Sequence, residues 1–268
     1  MRSAESQSRL LEDLIAIAID AGSAAMEVYR SDFAVERKSD SSPVTEADRR
    51  ADAIIVERLA RIAGSIPALS EESADSWRTP DDALKEFFLV DPLDGTREFL
   101  SRNGEFTVNI ALVRDTRPIL GVVHAPAVGR LYAAAPGIPA FRVAVSEAGQ
   151  LSGRELIRAR PVPARRLTAV ASRSHRSAET DDFLASLDVA AFDASGSSLK
   201  FCRVAEGSAD VYPRFGRTME WDTAAGQAVL EAAGGRVVVH PGGDSLAYGK
   251  SERGFDNPNF IAWGAVPA

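Results

Sequence analysis

The chain has 268 residues, 45% of them hydrophobic, enough to bury a large core as one α/β unit or two closely packed halves. A formal net charge of −7 leaves no basic surface to displace counterions from a nucleic-acid polymer, which excludes that class of partner. No apolar run is long enough to span a membrane, Met1–Arg9 is too polar for a signal peptide, and one cysteine, Cys202, reads as a small core residue in a reducing cytoplasm.

Leu10 to Tyr29 carries Leu10, Leu11, Leu14, Ile17, Ala18, Ala21, Ala24, Ala25 and Val28 at helical spacing, which predicts an amphipathic helix covering a sheet. Phe33–Lys38 reads as a short strand before a polar loop. Thr45 opens a second helix with Ile54, Ile55, Leu59 and Ile62 on its buried side. Asp48, three residues after Thr45, has the spacing of a capping box. Ile66–Leu69 is a brief strand running into Ser70-Glu71-Glu72-Ser73, whose adjacent acids by themselves read as solvated loop residues. Ala74–Lys85 reads as a surface loop.

Phe87–Val90 is a buried strand that runs into Asp91-Pro92-Leu93-Asp94-Gly95-Thr96. Pro92 holds Asp91 extended and is expected to end the strand there. Gly95 permits positive φ and the close approach of a ligand. Two carboxylates at the carboxyl edge of a sheet suit a hard cation such as Mg²⁺, and ligands often bind beyond that edge. Asp-Gly alone is an ordinary turn pair, but the whole stretch behind an apolar strand is far more specific.

Phe106–Val113, Ile119–Ala125 and Arg130–Ala135 read as an antiparallel meander, extended by Ala140–Val145 and Leu151–Arg158. The proline-broken basic run Arg158–Arg166 reads as a linker, dividing the chain into 1–160 and 161–268. The second half alternates strands (Leu167–Ala171, Val189–Asp193, Asp210–Phe215, Arg236–His240, Asn259–Trp263) with helices (Glu179–Leu187, Leu199–Ala205, Asp222–Ala233), implying helices on a mixed sheet. Asp222 sits at the amino end of a small-residue helix, where its plain reading is a cap for Ala224 or Ala225 N–H. Gly234-Gly235 closes that helix. Plain readings also exist for Lys200 as a solvated helix residue, His175 as a loop residue and Arg214 as the partner of Glu206 or Asp210. His124 and His240, in or beside strands, are given structural roles.

Asp91–Thr96 behind its strand and Trp221-Asp222-Thr223-Ala224-Ala225-Gly226, about 130 residues later, resemble two signatures of the inositol monophosphatase superfamily of Mg²⁺-dependent, lithium-sensitive phosphatases. Lys38…Ser42-Pro43-Val44-Thr45-x-Ala47-Asp48 is similar to a further motif of that superfamily. The resemblance covers essentially the whole chain and implies an α/β fold of alternating helix and sheet layers, an αβαβα sandwich. It implies that Glu71, Asp91, Asp94, Asp222 and the Leu93 carbonyl hold two Mg²⁺ ions, with a third bound more weakly. It also implies that Asp48 and Thr96, with Glu71, activate the attacking water, while Gly95 and Thr96 bind phosphate through the main chain. Four carboxylates in one pocket repel one another, and two divalent cations balance their formal charge.

Ser172-Arg173-Ser174-His175, Gly196-Ser197-Ser198-Leu199-Lys200 and Asp210-Val211-Tyr212-Pro213-Arg214 look like the 3′(2′),5′-bisphosphate nucleotidase branch. That resemblance implies release of the 3′-phosphate from adenosine 3′,5′-bisphosphate, or from 3′-phosphoadenylyl sulfate, in sulfur metabolism. The substrate contacts it implies are His175, Ser197, Lys200 and Arg214, added to Glu71, Leu93, Asp94, Gly95, Thr96 and Asp222. Relatives acting on inositol phosphate tend to carry glutamate at the position of Arg214, whose planar fork suits a second phosphate. Two other readings stay open: an inositol-1-phosphatase or related sugar phosphatase, and a non-catalytic metal-dependent sensor of phosphate ligands. The sensor reading has no need of Asp48 and Thr96. The expected partner is a small phosphate ester; relatives are often homodimers, but no stretch identifies a dimer surface.

Overall fold

Two amphipathic helices open the fold because their apolar residues recur on one side. The computed structural model describes residues 4–32, 35–37, 43–76, 85–171 and 177–267, with the backbone alone for residues 4, 35–37, 43–44 and 75–76. Helix α1 (Ala4–Tyr29) begins before Leu10 and buries Leu11, Leu14, Ile17 and Ala21 completely. Strands β1 (Val35–Arg37) and β2 (Pro43–Thr45) form a small antiparallel pair. Helix α2 (Glu46–Ala63) follows, and its buried stripe is Ala51, Ile55, Leu59 and Ala63. Ile62, expected inward, is 39% exposed because it lies off that i, i+4 row.

The main sheet runs in sequence order through β3 (Ala68–Ser70), β4 (Glu86–Asp94), β5 (Thr107–Arg114), β6 (Arg117–Ala125), β7 (Arg130–Ala135), β8 (Ile138–Val145) and β9 (Leu151–Leu156). Only β3 and β4 are parallel; the rest is the expected meander. Helix α3 (Thr96–Leu100), which the sequence reading did not anticipate, leaves the end of β4. Strand β4 alternates with period two. Phe88 and Val90 pack under α1 and α2, whereas Phe87 and Leu89 face the second half.

That second half holds β10 (Leu167–Ala171), α4 (Ala178–Ala185), β11 (Val189–Ala194), α5 (Leu199–Ala205), β12 (Val211–Arg214), α6 (Ala224–Ala232), β13 (Arg236–Val239) and β14 (Phe260–Trp263). Its mixed sheet has the order β11-β10-β12-β14-β13. Helices α5 and α6 lie between the two sheets in a core joining Phe87, Leu89 and Val113 to Phe201, Val229, Tyr212 and Phe260. Helix α4 covers the far face through Leu184 against Leu167, Val211 and Ile261. The layers are therefore αβαβα. At Gly121 a β-carbon would strike the Ala225 carbonyl, so α6 lies almost on the backbone of β6. Gly234 at φ 95° and Gly235, whose N–H reaches Leu230 O at 3.0 Å, close α6 as expected.

Charge reinforces the junction between the halves. Glu206 accepts Tyr132 Oη (3.1 Å) and Arg142 Nη1 (3.0 Å) from the main sheet, and Arg203 Nη1 (3.0 Å) from α5. Arg160, in the run read as a linker, grips buried Asp210 with two bonds of 2.6 and 2.7 Å. Arg214 therefore pairs with neither acid, contrary to its plain reading. Cys202 is a free, buried core residue, and His240 stacks on Phe215. Among the described residues no helix is long and apolar enough to cross a membrane.

His124 on β6 is 2% exposed, with Nδ1 2.9 Å from Ala18 O of α1 and Nε2 unpartnered. Burial pushes its pKa down to about 4, so the folded chain refuses a proton that the unfolded chain accepts near 6.5. Stability is thus complete above about pH 6.5 and is lost as pH falls toward 4. Wild type should lose up to about 3 kcal/mol over that window that His124→Leu does not lose, read by urea unfolding.

Candidate active site

The end of β4 is where side-chain direction matters most. Residues three apart on a regular strand point to opposite faces. Here Asp91 pairs with Asn109 and Asp94 with Thr107, so three steps on β4 match two on β5. The extra residue is a β-bulge that turns both aspartates to the face of Phe87 and Leu89, toward the second half. Pro92 falls inside the bulge, where no ladder N–H is required. The strand therefore continues past Pro92 to Asp94, correcting the expectation that it stops at Asp91. Leu93 N–H donates to Asp91 Oδ1 at 3.1 Å, and the Leu93 side chain packs with Ala47, Phe99 and Phe106.

Gly95 follows at φ 92° and caps α3 without any side-chain hydrogen bond, so Thr96 opens that helix. A β-carbon on Gly95 would collide with Ser197 Oγ. The same packing of Ala47 on Leu93 and Phe99 sets the first turn of α2 beside this opening. Asp48 is buried there and completes the capping box: its Oδ2 accepts Thr45 N–H (2.8 Å) and Thr45 Oγ1 (2.7 Å). The cap reading of Asp48 is correct. Glu71 starts a 3₁₀ turn (Glu71–Ser76) directly after β3, where Ser70 Oγ donates to Asp52 of α2.

Asp222 arrives from the other half. Its Oδ2 accepts Met219 N–H at 2.9 Å, and Thr223 occupies the cap position of α6. The cap reading of Asp222 is overturned because the Met219–Asp222 turn claims the carboxylate first. Behind it, fully buried Glu220 accepts Gly249 N–H (2.7 Å), Lys250 N–H (2.9 Å) and Lys250 Nζ (2.7 Å).

Glu71, Asp91, Asp94 and Asp222 share one electrostatic environment. Burial, then Glu71, Asp94 and Asp222, drive the Asp91 pKa well above the carboxylate range. Burial, then Asp94 and Glu71, push Asp222 up to about 8. Burial also raises Asp94, opposed by Lys200 and by the Ser198 N–H. The acids converge without closing on a point: among the described residues, no three His, Cys, Asp or Glu side chains stand as a ready ligand set. Asp91, Asp94 and Asp222 each lend one oxygen to a main-chain donor. An all-oxygen donor set strained by burial and mutual repulsion fits a hard divalent cation, which relieves both.

The second half also supplies cations. Lys200 is buried, not solvated as its plain reading holds, because α5 is enclosed between the sheets. Burial lowers its pKa, offset first by Asp94, and its Nζ lies 5.6 Å from the Tyr212 ring centroid. Arg214 is half-buried, gives Nη2 to Arg217 O at 2.7 Å, and keeps a buried Nε without a partner. Among the described residues neither cation has an ion pair. Ser197, at φ 48°, directs its hydroxyl at the carbonyls of Asp94 (2.8 Å) and Glu105 (2.7 Å). The hydroxyl proton braces the Gly95 turn. His175 lies outside the described residues.

Sequence reasoning missed Asn109, Thr107 and Ser198. Asp94 Oδ2 accepts Ser198 N–H at 2.7 Å, with Thr107 Oγ1 and Asn109 Nδ2 each at 3.4 Å. The available signal was a polar pair inside the apolar strand Phe106–Val113, since buried polar groups are kept for their partners.

The sequence model of the inositol monophosphatase family matches residues 6–262. The 3′(2′),5′-bisphosphate nucleotidase CysQ of Shigella flexneri is 46% identical over 253 residues, 94% of this chain and 98% of that one. CysQ of Escherichia coli K12 is 45% identical with the same coverage. The crystal structure of CysQ from Bacteroides thetaiotaomicron matches with a TM-score of 0.82 at 37% identity, over 97% of this chain and 98% of that chain. An inositol monophosphatase from Thermotoga maritima matches with a TM-score of 0.75 at 25% identity, over 95% and 92%.

Gly95→Ala should test the turn. Left-handed backbone and the collision with Ser197 together should cost about 2 kcal/mol or more of unfolding free energy, measured in urea.

Proposed function

The chain belongs to the inositol monophosphatase family, and from that we propose that it is a 3′(2′),5′-bisphosphate nucleotidase releasing the 3′-phosphate of adenosine 3′,5′-bisphosphate to leave AMP. The observation that carries the choice of substrate is the pair Lys200 and Arg214, two cations in the field of Asp94 and Asp222 that form no ion pair among the described residues. A simple monophosphate needs one anion subsite; a bisphosphate needs two. The half-buried guanidinium of Arg214, whose Nε has no hydrogen-bond partner, supports a second phosphate subsite. Identity of 46% to a bisphosphate nucleotidase across nearly the whole chain supports the same reading.

Glu71, Asp91, Asp94, Asp222 and the Leu93 carbonyl are the residues that hold Mg²⁺, as two ions with a weaker third. When bound, Mg²⁺ supplies positive charge for the phosphate and lowers the pKa of water. Glu71 and the pair Asp48 and Thr96 orient the attacking water and accept its proton. The N–H groups of Gly95 and Thr96, at a helix start with no side-chain cap, donate to the phosphate oxygens. Lys200 and Arg214 hold the 5′-phosphate, and His175 adds a contact to the nucleotide. Attack is in line, without a covalent phosphoenzyme. The sulfated analogue, 3′-phosphoadenylyl sulfate, fits the same two-anion arrangement, which sets the reaction in cytoplasmic sulfur metabolism. We assign a homodimer on family grounds alone.

Phosphate release should be measured on adenosine 3′,5′-bisphosphate, its sulfated form, inositol 1-phosphate and fructose 1,6-bisphosphate. The nucleotides should lead; preference for inositol 1-phosphate would make the enzyme an inositol phosphatase, and Mg²⁺-dependent binding without release would make it a sensor. Asp94→Asn should abolish turnover while circular dichroism stays native. Arg214→Glu should lower kcat/KM roughly 10- to 100-fold on adenosine 3′,5′-bisphosphate, the worth of a charge-assisted hydrogen bond, and far less on a monophosphate.

A further inference from the structure

Asp94 and Asp222 come from different halves of the molecule, and something must set their separation. Ser198 touches both. Its N–H donates to Asp94 Oδ2 at 2.7 Å and its Oγ donates to the Asp222 carbonyl at 2.7 Å. Asn109 of β5 completes the bridge, with Nδ2 3.0 Å from Ser198 Oγ and 3.4 Å from Asp94 Oδ2. Ser198 is 1% exposed, so the hydroxyl reaches neither solvent nor a ligand. The serine precedes α5 without capping it, which leaves no local purpose for its side chain. A small core residue would fill the space equally well.

We propose that Ser198 is a positioning residue that gauges the gap between Asp94 and Asp222, with Asn109 as its brace. The inference rests on the Mg²⁺ site described under the proposed function. One side chain joins the main sheet to the turn carrying Asp222, so the two carboxylates keep their spacing while they repel each other. Without the hydroxyl, the Asp222 carbonyl loses its donor and the turn drifts from the bulge. The cation must then do the gathering itself, at the expense of its affinity.

The test is a Mg²⁺ titration of thermal unfolding, run beside steady-state kinetics, on wild type, Ser198→Ala, Ser198→Thr and Tyr132→Phe. Tyr132→Phe removes another bond across the halves, the 3.1 Å contact to Glu206 on α5's carboxyl cap. Ser198→Ala should raise the Mg²⁺ concentration that gives half the thermal shift about tenfold, the usual cost of losing a residue that orients a ligand. Its kcat at saturating Mg²⁺ should return most of the way to wild type. Ser198→Thr, which keeps the hydroxyl, should restore the wild-type midpoint. Tyr132→Phe should lower the melting temperature with its Mg²⁺ midpoint unmoved. An unmoved midpoint in Ser198→Ala overturns the proposal, as does an equal shift in Tyr132→Phe, which would mean general loosening. Absence of any Mg²⁺ response in wild type removes the metal site itself, and this inference with it.

Discussion

Everything in the site depends on one surplus residue in β4. Without the bulge at Pro92 and Leu93, alternation would send Asp91 and Asp94 to opposite faces of the sheet, one of them under α1 and α2. With it, both meet the half that carries Asp222, and Gly95 turns the chain into α3. Backbone geometry, more than the count of acids, makes the cluster. The cost is electrostatic: burial and mutual repulsion push the carboxyls of Asp91 and Asp222 above their ordinary range.

The rest of the molecule meets that cost by rigidity. Main-chain donors hold three of the four carboxylates, and side chains without chemistry of their own hold the donors. Ser197 braces the Gly95 turn, and Glu220 with Lys250 fixes the segment beneath Asp222. These contacts join residues about 100 or fewer positions apart in sequence, and no local pattern announces them.

This is why the sequence was legible in some places and opaque in others. Periodicity gave the meander and α5 almost to their ends, and α1 from Leu10 onward, because burial on one side leaves a regular trace. Local chemistry gave the capping box at Thr45 and the closure of α6 at Gly234. Two short motifs pointed to Asp91, Asp94 and Asp222. What propensity could not give was orientation. Lys200 reads as exposed until α5 is known to lie between two sheets, and Asp222 reads as a cap until Met219 is seen to claim it. Pro92 looked like a strand terminus because a proline inside a bulge has the same local signature as one at an end.

The Glu206 junction has a kinematic consequence. Its carboxylate is 6% exposed and takes bonds from β7, β8 and α5 at once, beside a hydrophobic core shared by both sheets. Parting the halves would take Tyr132 and Arg142 away from that carboxylate, at roughly 2 kcal/mol or more even before apolar surface is exposed. The two sheets are therefore tied against separation along this seam.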